Sequence, residues 1–388
     1  MKLEGIPKFL HPRMRLFMSI DLVGSTALKQ SGSFPIQAPN DGDRMTDAGS
    51  RWFVEITKFY TEFQAKFARH WQHYCSAVAS EPMQPTGETP QLWKSNGDEL
   101  IYVMEITTAK ECAATVICWL RSGKEYRRQL RDKGSSLDVK MAAWVAGFPV
   151  VNSEVIFQPP SDIQTVESED EIPELVHYDL LDRWHSGDEG RRGLSIDYIG
   201  PSIDTGFRVA SKATPRKFTL SLETAFILSL PQMQRDMNDI VFRYDGRETL
   251  KGVLGGKPYP IFWIDTQMDD ELTRLEDSLE GRSEKGLPKD HVKEFCEEFF
   301  ARHKSNMIRP FILTDFEPLL VMPPDNYEAH VRHLADEWRA ARESDAIAMK
   351  ALGEAEPPDG ESAPPVQDEL LLDQLIVSLP LTEPPPAT

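Results

Sequence analysis

Asp21 ends an alternating apolar run in MRLFMSIDLVGST, and Asp98 lies in KSNGDEL. A carboxylate at the end of a buried strand is costly unless a charged or hydrogen-bonding partner compensates it. If the two segments are neighbouring strands, both carboxylates converge at one sheet edge, and like charges held that close call for a cation between them. Carboxylate oxygens are hard donors suited to Mg²⁺ or Mn²⁺, ions that usually also hold substrate phosphates. The residues after Asp21 include Gly24, Ser25 and Thr26. They supply backbone N–H groups and two hydroxyls, the makings of a phosphate cradle. In isolation the same fragments read equally well as a capped turn and an ordinary hairpin residue.

The elements that must position these groups follow from periodicity. Residues 14–23 alternate as a strand. Residues 31–50 and 80–90 are rich in turn formers and read as loops. Between them, Phe53, Ile56, Phe59, Tyr60, Phe63 and Phe67 recur at helical spacing, a long amphipathic helix over 51–74. That helix carries more apolar surface than one sheet face requires, which fits packing or dimer contacts. QLWKSNGDELIYVMEI predicts two strands around a tight Asn96-Gly97 turn. A helix over 108–134 and a strand over 137–149 come next. Residues 158–175 are acidic and read as a loop. LSIDYIGPSIDTGFRVASKA begins as a loop and ends as a helix, KFTLSLETAFIL gives a short strand and a helix, and 241–265 gives two strands. This order predicts an α+β fold, a sheet covered by helices. Residues 266–350 read as helical apart from IRPFILTDFEPLLVMPP, and 353–388 as a Pro-rich acidic tail, disordered by composition.

Composition bounds the function. The chain of 388 residues has 40% hydrophobic residues and a net charge of −19, so it can bury a core but offers no global basic surface to nucleic acid. The basic run KEYRRQLRDK is spaced as the solvated face of a helix. Cys75, Cys112, Cys118 and Cys296 have no CxxC or zinc spacing and read as reduced thiols of a cytoplasmic protein. No signal-peptide core and no apolar run of membrane-spanning length is present. His185 sits in a polar stretch and needs no role.

Four segments, in order, resemble the class III nucleotidyl cyclases. SIDLVGST resembles their first metal-binding strand, and KSNGDEL their K-x-x-G-D element. DYIGPSIDTGFRVAS resembles D-x-x-G-x-x-V-N-x-x-x-R, with Gly200, Asp204 and Arg208 at +3, +7 and +11 from Asp197. TLKGVLGGKPYPIFWI resembles the closing hairpin. The resemblance covers roughly 14–265. It implies a ferredoxin-like, palm-type catalytic domain over 1–265, followed by a helical extension (266–352) and the tail (353–388).

By that resemblance, Asp21, Asp98 and the Leu22 carbonyl hold two divalent ions, Mn²⁺ or Mg²⁺. Arg208 stabilises the α-phosphoryl group, Lys251 contacts the triphosphate, and Lys94 and Asp197 read the base. The site is built at a homodimer interface, metal aspartates from one protomer and the base pair and arginine from the other. Asp204 stands where the family has asparagine; it accepts a hydrogen bond but cannot donate one. A degenerate dimer that binds nucleotide without cyclising it is therefore an alternative.

A donor (Lys94) beside an acceptor (Asp197) suits adenine, cytosine or uracil and disfavours guanine. A pyrimidine additionally needs bulk where adenine would extend, from Trp52/Phe53 or Phe17. The layout, a catalytic domain starting near residue 1 with long loops, resembles the stand-alone pyrimidine cyclases of bacterial Pycsar anti-phage systems. That implies cyclic UMP, ahead of cyclic CMP, as a messenger for a separate effector protein; an adenylate cyclase is the alternative.

Overall fold

The computed structural model describes residues 1–31, 51–78, 89–158, 173–187, 189–230, 240–267, 270–315 and 317–354. The expected loops at 31–50 and 80–90, and the tail, lie almost wholly outside them. Met1–Trp338 forms one compact unit.

Strand β1 (Arg13–Val23) is the axis of the fold. Its even-numbered side chains, Met14 to Leu22, enter the main core, and its odd ones, Arg15 to Asp21, face the other side. β1 pairs antiparallel with β3 (Glu99–Ile106) and β4 (Asp138–Phe148), and β3 with β2 (Gln91–Asn96). Helix α1 (Ser25–Ser31) leaves the end of β1. Helices α2 (Arg51–Ala77) and α3 (Ala109–Asp132) make the crossovers. The resulting β-α-β-β-α-β unit has the ferredoxin-like strand order expected. The full sheet has seven strands in the order β2-β3-β1-β4-β7-β9-β8. Of the added strands, β7 (Lys217–Leu220) runs parallel to β4, and β9 (Tyr259–Asp265) and β8 (Phe242–Glu248) antiparallel beyond it. The fold is thus α+β with a mixed, mostly antiparallel sheet.

The apolar stripe of α2 is absorbed within the chain. Phe63 meets Trp119 of α3 edge-on at 4.7 Å between ring centres, and Phe59 lies 5.5 Å from Tyr126. Intramolecular helix packing, not a dimer contact, takes most of that surface; Phe53 remains exposed at its start.

Three features depart from expectation. Asp197 lies on a strand, β6 (Ser195–Ile199), paired with β5 (Ser153–Phe157) in a separate two-stranded sheet. Helix α4 (Pro173–His185) precedes it, so His185 ends a helix rather than sitting in a loop. The hairpin turn is shifted by one residue: Asn96 pairs with Glu99, and Gly97 and Asp98 make the loop. Gly97 has φ +70° and Asp98 does not share a positive φ, as a type II′ turn requires.

Helix α5 (Pro201–Ala210) follows β6, and α6 (Leu222–Ser229) follows β7. Beyond β9 come α7 (Glu271–Leu279), α8 (Lys289–Arg302) and α9 (Tyr327–Glu354), with irregular chain over 304–315 and 317–326. α7 is tied to the sheet by Arg216 and Arg243, which both reach Asp265 and Asp277. No helix among the described residues is long and apolar enough to cross a membrane.

Candidate active site

One face of the sheet gathers most of the candidate residues. Asp21 of β1 lies opposite Glu99 on one side and Lys140 of β4 on the other. Its Oδ2 is 2.8 Å from Lys140 Nζ. Asp98, in the adjoining turn, is held to β1 by the backbone: Leu22 N–H donates to its carbonyl at 3.2 Å. The Asp98 carboxylate accepts from the buried Ser25 hydroxyl and pairs with Lys29 at 3.3 Å. Burial pushes its pKa up, but the Ser25 hydroxyl and the Lys29 ammonium outweigh burial, and the net shift is downward. Glu99 moves the other way, raised by burial and by the neighbouring Asp21 charge against the Asn96 hydrogen bond.

The residues present fit a divalent cation. Two carboxylates, each about a quarter exposed, end one strand and the next turn, and both draw a lysine ammonium. All donors in reach are oxygens, which favours Mg²⁺ or Mn²⁺ over zinc. No group of three or more His, Cys, Asp or Glu side chains that could hold a metal occurs among the described residues. Two carboxylates with substrate phosphates are, however, the usual complement of Mg²⁺. The Ser25 hydroxyl is committed to Asp98, which leaves Thr26, exposed on the first turn of α1, as the free hydroxyl of the expected cradle. Gly24 has φ +90°, a conformation costly for any residue with a Cβ, and its freedom lets the chain turn from β1 into α1.

Lys94 and Asp197, 103 residues apart in sequence, meet at 3.0 Å between Nζ and Oδ1. Lys94 sits in register with Ile101, which pairs with Ser19, two residues along β1 from Asp21. The Lys94 ammonium stands 3.8 Å from the centre of the Trp93 ring and 5.9 Å from Phe207. Sequence reasoning missed Trp93; its signal was an aromatic next to the lysine expected to read the base. Phe17, one of the residues expected to supply bulk, is wholly buried beneath it, 5.2 Å from Trp93 and stacked 5.6 Å from Trp144. Trp52 packs on the main core.

Helix α5 lies over this aromatic layer. Phe207, Ala210 and Ser211 line a cleft together with Asp21, Glu99 and Lys140. Asp204 and Arg208, one turn apart, are exposed on the same helix. Its seating depends on Gly206, where a Cβ would lie 2.3 Å from the Trp144 ring. That ring is fully buried and stacked, so the helix must move instead. Gly206→Ala is expected to cost about 1–3 kcal/mol in urea unfolding. It should also displace Arg208, lowering whatever turnover the protein has. Lys251 is exposed in the β8–β9 connection, at the opposite edge of the sheet from β2.

No family model and no curated protein matches the chain. Among solved structures it is similar to the adenylyl cyclase CyaB from P. aeruginosa, at 14% identity over 66% of this chain and 94% of that one, TM-score 0.38. It is similar to the guanylate cyclase domain of RhGC from Catenaria anguillulae in complex with GTP, at 12% identity over 65% and 96%, TM-score 0.38. A bacterial light-regulated adenylyl cyclase aligns at 8% identity over 70% and 98%, TM-score 0.35.

Proposed function

We propose that the protein is a nucleotidyl cyclase that converts a pyrimidine nucleoside triphosphate, UTP ahead of CTP, to the 3′,5′-cyclic monophosphate and pyrophosphate. The observation that carries this reading is the Lys94–Asp197 pair, a donor and an acceptor brought together at 3.0 Å beside the strand that ends in Asp21. The 3′-oxygen attacks the α-phosphorus, its proton leaves to solvent, and the bond to the bridging oxygen of pyrophosphate breaks. Asp21, Asp98 and the Leu22 carbonyl would hold two Mn²⁺ or Mg²⁺ ions, which when bound polarise the α-phosphate and acidify the 3′-hydroxyl. Arg208 offers its guanidinium fork to charge developing on the α-phosphoryl oxygens. Asp204 accepts from a ribose hydroxyl. Lys251, Gly24, Ser25 and Thr26 bind the phosphate chain. Lys94 donates to, and Asp197 accepts from, the base edge.

A homodimer supports this assignment best. On α5 the side chains beside Asp21 are Phe207 and Ala210, while Asp204 and Arg208 are exposed. A second copy would bring Arg208 to the metal aspartates of the first.

The preference for a pyrimidine rests on Trp93 and Phe207, whose rings stand 3.8 and 5.9 Å from Lys94 and would limit the room beside it for a base. Trp93→Leu is expected to raise the ratio of ATP to UTP turnover at least about tenfold, the scale of discrimination a shape-limited pocket supplies. An unchanged ratio in competition assays would return adenine to equal standing. The wider role, a cytoplasmic second messenger in anti-phage defence read by a separate effector, rests on the sequence resemblance to the Pycsar cyclases.

A further inference from the structure

Helix α7 is seated the wrong way round. A surface helix ordinarily buries its apolar stripe and turns its charges to water. On α7 the two buried residues are polar, Thr273 and Asp277. Asp277 accepts from Arg216 at 2.6 Å and from Arg243 at 3.0 Å, and these ion pairs fix the helix to the sheet. The leucines face outward. Leu272, Leu275 and Leu279, at i, i+3 and i+7, are 65, 57 and 89% exposed. At 3.6 residues per turn they form one stripe on the side opposite Thr273 and Asp277. Scattered exposed leucines are ordinary, but three in one stripe make a contiguous apolar patch of the kind that marks an interaction site.

The rim of the stripe decides what covers it. Glu276 and Glu280 flank the leucines on one side and Glu271 on the other, and all three are exposed. Arg274, the cation of this helix, lies off the stripe and pairs with Glu271 at 3.6 Å. A second α7 packed antiparallel on the stripe would set Glu271 against Glu280, like charge on like. Residues 355–388 are rich in leucine but carry seven acidic residues and no basic one, so the rim repels them too. An anionic bilayer is repelled for the same reason. Charge complementarity selects a cationic partner.

We infer that the outer face of α7 is a docking surface for a basic amphipathic helix of a partner protein. The partner's apolar residues lie on Leu272, Leu275 and Leu279, and its Lys or Arg side chains reach Glu271, Glu276 and Glu280. Anchors at i, i+3 and i+7 are the means by which one amphipathic helix is read by another apolar surface. Arg243, one of the two residues that hold α7, lies on β8, four strands from β1 in the sheet. The surface is therefore separate from the Asp21 site, and the inference does not rest on the cyclase reading.

The test is fluorescence anisotropy of a labelled leucine–lysine peptide of about four helical turns, its leucines at helical spacing, titrated with the full-length protein. The peptide is expected to bind saturably. The double variant Leu275→Gln, Leu279→Gln should weaken it about tenfold or more, the effect of losing an apolar anchor. Both positions are exposed, so its urea midpoint should match the wild type. Glu276→Lys with Glu280→Lys should weaken the same peptide and instead bind the matched leucine–glutamate peptide, which the wild type should not bind. No binding of the leucine–lysine peptide, or binding indifferent to the leucine variant, would overturn the inference. So would equal binding of the leucine–glutamate peptide, of a peptide of residues 368–382, or of phosphatidylserine-containing vesicles. Sedimentation checks the remaining occupant: self-association lost in the leucine variant would assign the stripe to a second copy and overturn the inference, and self-association unchanged in it supports a separate partner.

Discussion

Asp21→Asn is expected to lower turnover of every nucleoside triphosphate by at least about a thousandfold, roughly 4 kcal/mol of transition-state stabilisation. The fold should stay intact. The carboxylate is partly exposed, and its one ion-pair partner among the described residues is Lys140, itself a third exposed. An ion pair at that exposure contributes at most about 1 kcal/mol, so the melting temperature should move by no more than about 3 °C. Asparagine keeps an oxygen for Lys140 but loses the charge that a divalent cation needs. Asp98→Asn should behave alike in turnover, with a somewhat larger stability loss because Ser25 and Lys29 both bind that carboxylate. A variant that keeps turnover, or one that loses activity only by unfolding, contradicts the assignment of Asp21 as a metal ligand.

Glu154→Gln is expected to be the most destabilising single change, about 3–5 kcal/mol in urea unfolding, because it takes the buried counter-charge from a buried guanidinium and leaves it only the half-exposed Glu105. Glu154 of β5 is 4% exposed. Its Oε1 accepts from Arg15 of β1 at 2.8 Å, and its Oε2 contacts His185 of α4 at 2.6 Å. Burial raises its pKa, but the Arg15 charge and the His185 hydrogen bond win and hold it near about 2, against an ordinary 4.5. A folded-state value below the unfolded one means the stabilisation is complete above about pH 4.5 and is lost as pH falls toward 2. His185 adds loss of the same sign. Burial, partly opposed by Glu154, lowers its pKa from 6.5, so acid favours the unfolded chain, where it protonates more readily. The wild type should therefore lose stability steadily from about pH 6.5 downward, and Glu154→Gln should show a flatter curve below pH 4.5. Urea midpoints measured against pH check both. The change reaches function because β5 carries β6, and β6 carries Asp197. Loosening it should weaken nucleotide recognition even under conditions where the variant remains folded. Equal stability of the two proteins at pH 7 would show that the Glu105 carboxylate, already 3.2 Å from Arg15, is enough to hold it.

What was legible in the sequence was whatever repeats locally or falls at fixed spacing. The alternation around Met14–Ile20 located β1, and the helical spacing of Phe59, Phe63 and Phe67 located α2. Asp197 and Arg208 were found by offset within one segment. What was hidden depends on distant chain meeting distant chain. Ser195–Ile199 is too short to alternate visibly and becomes a strand by pairing with Ser153–Phe157. His185 gains its role from Glu154, 31 residues away. Nothing in the local sequence ties Lys29 and Lys140 to the two aspartates; the turn at Asp98 and the register of β1 on β4 bring them there. The Asn96-Gly97 signal chose the right hairpin and missed its register by one residue, because Asp98 is tied back to Leu22 and Ser25.

Asp204 is the residue on which the proposed enzyme and a dimer that only senses nucleotide part. It is exposed on α5 one turn before Arg208. An acceptor suffices there if the ribose hydroxyl donates. Asp204→Asn is expected to retain or increase turnover.

The most direct measurement is incubation of the purified protein with Mn²⁺ and each of ATP, GTP, CTP and UTP separately. Products are resolved by chromatography against cyclic nucleotide standards, with Asp21→Asn as the blank. The account predicts cyclic UMP, with cyclic CMP second, and nothing from the blank. Cyclic AMP as the main product would keep the mechanism and contradict the role given to Trp93 and Phe207, and no cyclic product from any of the four would contradict the central claim that Asp21, Asp98 and Arg208 form a cyclase site.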